Sequence, residues 1–156
     1  MFVYDRILTV AGIFRVRELL LGELIIDQQH EQVLDRLDEV RTSVELRRPP
    51  AETSALLTAF LETVEWHFAS ECDLMRANQY PDEAAHRGEH KRLLKELKQA
   101  NAEFNDGKLQ AGGALAVFVQ LWTSEHIHGP GRRFVEYPRR RANREAAGHE
   151  ALSSAG

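Results

Sequence analysis

His67 and Glu71 stand four residues apart, and so do His86 and His90. On a helix that spacing puts two side chains on one face a turn apart, the arrangement that lets one element grip a metal ion at two points. His30 lies upstream of both pairs and His126 downstream. Any one of these residues is weak evidence, because a histidine on a helix face is most often hydrogen-bonded or solvated. The set is different: five imidazoles and one carboxylate fall on faces that also carry large apolar residues. Burying so many polar groups without a metal would leave them unsatisfied. The expected chemistry is therefore a buried metal centre.

The elements that must position these groups are helical, since apolar residues recur at a period near 3.6 over long stretches and β signals are scarce. The first stretch covers about 26–47, with Ile26, Val33, Leu34, Leu37, Val40 and Val44 on one face, and Pro49 and Pro50 close it. The second covers about 51–77, with Leu56, Leu57, Phe60, Leu61, Val64, Phe68 and Met75. The third covers about 83–106, with Asp82 as a candidate N-cap and Asn105-Asp106-Gly107 as a turn. The fourth covers about 112–128, with Leu115, Phe118, Val119, Trp122, His126 and Ile127. Four such helices with short connections predict an all-α fold, an antiparallel up-down-up-down four-helix bundle over residues 23–137. Residues 1–22 are expected to form an N-terminal arm or short helix, and 138–156 a polar, flexible tail.

Length and composition agree with one soluble domain. The chain has 156 residues, 43% hydrophobic and 28% charged, enough to enclose a single core. A net charge of −4 argues against nucleic acid as a partner, since phosphate binding needs a basic surface. The single cysteine, Cys72, excludes an intrachain disulfide and is compatible with a reducing compartment. No uninterrupted apolar run of ~20 residues suggests a membrane span, and a cytoplasmic location is expected.

The residues flanking the histidines match a known pattern. Gly22 to His30 reads G-E-L-I-I-D-Q-Q-H. His67-Phe68-Ala69-Ser70-Glu71 is followed by Leu74-Met75 and Tyr80-Pro81, then His86 and His90. Trp122-Thr123-Ser124-Glu125-His126-Ile127 precedes an aromatic at Phe134. Over roughly 22–137 this pattern resembles the hemerythrin family. The resemblance implies a carboxylate-bridged pair of non-haem irons, with or without an oxo or hydroxo bridge, that binds O2 reversibly. By matched position His86, His90 and His126 would bind one iron, His30 and His67 the other, and Glu71 would bridge them. Phe68, Trp122, Thr123 and Ile127 would line the oxygen pocket, with Phe68, Trp122 and Ile127 forming an apolar lid.

The chain also departs from that pattern. The family's second bridging carboxylate, an aspartate five residues after the last histidine, is here Gly131. Pro130 cannot donate to the His126 carbonyl, so the helix is expected to kink or end there. Such a break would make His128 and Glu136 the candidates for substitute ligands, although solvent is the simpler replacement. Cys72 stands where the family has a second acidic residue, and Thr123 where it usually has leucine. Asp27 is a candidate to orient His30 or Gln28, or simply a partner of the helix dipole. The tail arginines Arg132, Arg133, Arg139, Arg140, Arg141 and Arg144 read most simply as a solvated end.

Three functions therefore stand open. The leading expectation is an O2-binding carrier, store or sensor without turnover. The second is a diiron peroxidase, oxidase or nitric-oxide-handling enzyme, which open metal positions at Gly131 would favour. The third is a degenerate bundle with one metal, such as zinc, or none.

Overall fold

The structure, a computed structural model, describes residues 24–120, 126 and 129–153. Among these residues there are five helices and no strand: α1 (Leu24–Glu45), α2 (Pro50–Ala77), α3 (Glu83–Asn105), α4 (Ala111–Gln120) and α5 (Arg132–Ser153). The chain from 1 to 23, which holds the expected arm, lies outside the described residues.

Local sequence sets the helix boundaries. α1 ends at Glu45, two residues before the expected limit, and the chain turns through Arg47 with φ +49°. Pro49 is the N-cap of α2 and Pro50 its first residue, so the proline pair opens the second helix as well as closing the first. A proline at the first helical position loses no bond, because that N–H has no intrahelical partner. Asp82 occupies the N-cap position of α3 without a side-chain capping bond. Gly107, with φ +71°, takes the left-handed conformation just past α3 that glycine adopts without a Cβ clash.

α1 packs against α2 and α4, and α3 packs against the same two helices. That closes a four-membered ring, and the short connections 46–49, 78–82 and 106–110 make sequential neighbours antiparallel. The shared core contains Val33, Leu37 and Val40 from α1, and Leu57, Phe60, Leu61 and Val64 from α2. Leu93, Leu97 and Ala100 come from α3, with Ala114 and Phe118 from α4. Phe60 and Phe118 are both fully buried, with ring centroids 5.3 Å apart. A smaller cluster, Met75, Tyr80 and Phe134, ties α5 to the α2–α3 corner.

Two features of the C-terminal part bear on what the sequence led us to expect. The helix does not end at Pro130: His126 and Gly129–Gly131 belong to a π-helical turn that leads into α5. Without an N–H at Pro130 the i→i−4 bond to His126 cannot form, and a wider i→i−5 turn absorbs the fault. Residues 138–153, expected as a flexible tail, continue α5 as helix. No helix among the described residues is long and apolar enough to cross a membrane.

Candidate metal centre

In an antiparallel bundle the N-terminal part of one helix lies beside the C-terminal part of the next. His30 is early in α1, His67 and Glu71 late in α2, His86 and His90 early in α3, and His126 follows α4. All four contributions therefore meet at one end of the bundle. They continue the same inward stripes that supply Val33, Leu57 and Leu93 to the apolar core. Each core face is hydrocarbon along most of its length and imidazole or carboxylate at that end. The six residues are buried, none more than 3% exposed.

Glu71 is the centre of the arrangement. Its Oε2 stands 3.2 Å from His90 Nε2, 3.4 Å from His86 Nε2, 3.4 Å from His126 Nε2 and 3.7 Å from His67 Nε2. Among the described residues neither Glu71 oxygen has a hydrogen-bond partner of good geometry. His86 and His90 Nε2 approach to 2.8 Å, and His67 and His126 Nε2 to 3.3 Å. Two overlapping groups place their donor atoms within 4.8 Å of one another: Glu71, His86, His90 and His126, and His30, His67 and His126. Two ligands at right angles on one ion, each ~2.1 Å from it, are about 3.0 Å apart. The observed separations surround that value, so the donor set fits a metal.

Electrostatics favour the same conclusion. Burial lowers the His67 pKa to about 3, with the neighbouring imidazoles adding to the depression and only Glu71 opposing it. Burial likewise depresses His90 and, more strongly, His126. For Glu71 burial alone would raise the carboxyl, but His126, His86 and His90 outweigh it and hold the group well below the usual range. At neutral pH these histidines are neutral and the glutamate is ionised, which is the protonation state a cation requires of its ligands.

Hydrogen bonds orient two of the rings. His67 Nδ1 donates to Gln29 Oε1 at 2.9 Å, and Gln29 Nε2 donates to Ser70 Oγ at 2.7 Å. This tautomer leaves the His67 Nε2 lone pair facing the cluster. His90 Nδ1 lies 3.6 Å from Cys72 Sγ, and the ring stacks on Phe68 at 3.8 Å with an interplanar angle of 2°. Gln29 and Ser70 were not singled out from the sequence. Gln28, suggested there, is exposed. Gln29, one residue before His30, is the buried glutamine.

A family model, the hemerythrin HHE cation binding domain, matches residues 22–134. The chain belongs to the hemerythrin family. Its relatives include three proteins named bacteriohemerythrin. That of Stenotrophomonas maltophilia (strain R551-3) is 24% identical over 134 residues, covering 86% of each chain. That of Methylococcus capsulatus is 28% identical over 101 residues, covering 65% of this chain and 76% of the relative. That of Ralstonia nicotianae is 28% identical over 107 residues, covering 69% and 74%. No solved structure matches.

Against the hemerythrin pattern, the remaining sequence candidates divide. Phe68 is buried and borders both the His90 and His126 rings. Trp122, Thr123, Ile127 and His128 lie outside the described residues. Glu136 does not join the cluster: its side chain is 43% exposed and pairs with Arg140 at 2.5 Å. The helical continuation past Pro130 is the reason, since no break turns Glu136 inward. Cys72, at the second acidic position, is buried, and burial together with the Glu71 and Glu83 charges pushes its thiol pKa up. Gly131 is buried, and a Cβ built on it would lie 3.9 Å from His126 Nε2.

Proposed function

We propose that this hemerythrin-family chain is a non-haem diiron protein that binds O2 through the centre at the end of its bundle. The observation that carries the reading is Glu71: a buried, ionised carboxylate ringed by imidazole nitrogens at 3.2–3.7 Å, with neither oxygen otherwise hydrogen-bonded among the described residues. A cation pair resolves that arrangement, and a carboxylate between two histidine groups is the natural bridge. In this reading His86, His90 and His126 hold one iron and His30 and His67 the other, with Glu71 shared. When bound, the iron pair supplies reversible coordination of O2.

The chain's own residues hold and protect that centre. Gln29 locks the His67 tautomer so that Nε2 faces the metal. Phe68 fixes the His90 ring by stacking and places hydrocarbon beside the site, which slows entry of water and protons. The depressed histidine pKa values keep the rings in their ligating form without prior loss of protons to solvent. A diiron enzyme acting on peroxide or nitric oxide is the second reading, favoured by one feature, the lack of a side chain, and so of a second carboxylate, at Gly131 beside Glu71 and His126.

The test is the visible spectrum of iron-loaded protein cycled between air and argon. A band that appears with air and vanishes under argon over repeated cycles supports O2 binding. Rapid bleaching with consumption of peroxide or nitric oxide supports the enzyme, and no iron-dependent band contradicts both.

A further inference from the structure

His90 presents its two ring nitrogens to different surroundings. Nε2 faces the centre, 3.2 Å from Glu71 Oε2 and 2.8 Å from His86 Nε2. Nδ1, on the other side of the ring, meets Cys72 Sγ at 3.6 Å. The ring lies flat on Phe68, with centroids 3.8 Å apart and 2° between the planes, which restrains the direction of Nδ1. His90 is 3% exposed and Cys72 5%, so the contact is shielded from bulk solvent.

A nitrogen–acceptor distance of 3.6 Å is too long for oxygen, whose bonds to N–H run about 2.7–3.2 Å, but it suits the larger sulfur atom. When Nε2 ligates a metal, the ring proton sits on Nδ1, and a buried N–H needs an acceptor. His67 meets that need with an oxygen, Gln29 Oε1 at 2.9 Å. His90 meets it with the sulfur of a thiol, a weak acceptor that pulls little on the proton.

We propose that Cys72 is a positioning residue for the iron held by His90: its sulfur receives Nδ1–H, fixing the ring as a ligand while leaving the ferrous ion favoured. The inference rests on the iron reading given above. An acceptor that pulls strongly on Nδ1–H makes the ring a better donor at Nε2. Fe(III), with its higher charge, gains more from a better donor than Fe(II) does. A carboxylate at position 72 would therefore favour Fe(III). An apolar side chain would favour Fe(II) but leave the ring unheld. Sulfur stands between these cases, and Fe(II) is the oxidation state that takes up O2.

The experiment compares the iron-loaded parent with Cys72→Asp, Cys72→Val and Cys72→Ala. A carboxylate oxygen lies one bond further from the backbone than Sγ, so Asp reaches Nδ1. Val puts a methyl group where the sulfur was and Ala leaves the place empty, so both remove the acceptor by different means. Two quantities are read: ferrous affinity, by chelator competition under argon, and the midpoint potential, by dithionite titration with mediator dyes. Val and Ala should hold Fe(II) about tenfold more weakly, with midpoints above the parent. Asp should lower the midpoint by about 59 mV, the equivalent of a tenfold shift toward Fe(III) in a one-electron couple. A role in packing alone would change Tm without moving the midpoints of Asp and Val in opposite directions. Midpoints that move together or stay fixed overturn the proposal, as does ferrous affinity within twofold of the parent in both Val and Ala. Should Cys72→Asp fail to fold, Val and Ala decide by the same affinity criterion and by whether their midpoints rise. A parent that holds two irons while the variants show no such response overturns the proposal and leaves the diiron reading intact. A parent that takes up no iron overturns both.

Discussion

Gln29→Met tests how the centre is held from outside its ligand set. The substitution nearly preserves volume but removes the acceptor of the 2.9 Å bond from His67 Nδ1 and the donor of the 2.7 Å bond to Ser70 Oγ. His67 is fully buried, so its Nδ1–H has no water to turn to. Leaving a buried donor unmade costs about 1–3 kcal/mol. The part of that cost realised on metal binding appears as affinity, because a free ring tautomerises or rotates while a ligating one must keep Nε2 on the metal. Loss of such an outer partner typically weakens metal binding by about 10–100-fold, and tenfold corresponds to ~1.4 kcal/mol, so the two estimates agree. Competition against a chelator of known affinity should show weakening of that size. Gln29→Glu should stay close to the parent, since a carboxylate oxygen accepts from Nδ1 and the Ser70 hydroxyl can rotate to donate. Binding by Gln29→Met within twofold of the parent, or equal loss in both variants, would refute the reasoning.

Other outcomes follow from the same geometry. The metal-free protein should lose stability as pH falls from about 6.5 toward 3. The folded-state pKa of His67 lies near 3, and those of His90 and His126 are also depressed. The unfolded chain therefore binds more protons in that window. Glu71, held below its ordinary value, contributes stability above about pH 4.5 that is lost as pH falls through its folded pKa, so it acts in the same direction. Urea midpoints that do not change between pH 7 and 5 would contradict this. Phe60→Ala removes a fully buried ring stacked on Phe118 and should destabilise the fold by about 3–5 kcal/mol in urea unfolding. A loss below 1 kcal/mol would show that the core collapses around the gap.

Much of the centre was legible in the sequence because histidine at helical spacing, on a stripe that also carries Val33, Phe60 and Leu93, is improbable unless the stripe ends in a polar site. Four helices with short loops then fix which ends meet. The turn at His126 was not legible. Pro130 signals a fault in the α-helical ladder, but a helix answers such a fault either by stopping or by widening one turn, and packing decides between them. Here Phe134 seats against Met75 and Tyr80, which favours continuing into α5. Glu136 was misplaced for that reason. The support from Gln29 and Cys72 was hidden differently: which inward-facing polar residue meets which ring depends on helix rotation by a fraction of a turn, finer than periodicity resolves.

The central claim is that Glu71 and the five histidines form one site for a pair of irons, and metal analysis of protein produced with iron addresses it most directly. The account predicts close to two irons per chain, and no stable retention of a pair when Glu71→Ala removes the bridge. A parent that holds a single ion, retains zinc in preference to iron, or keeps two irons undiminished in Glu71→Ala would contradict it.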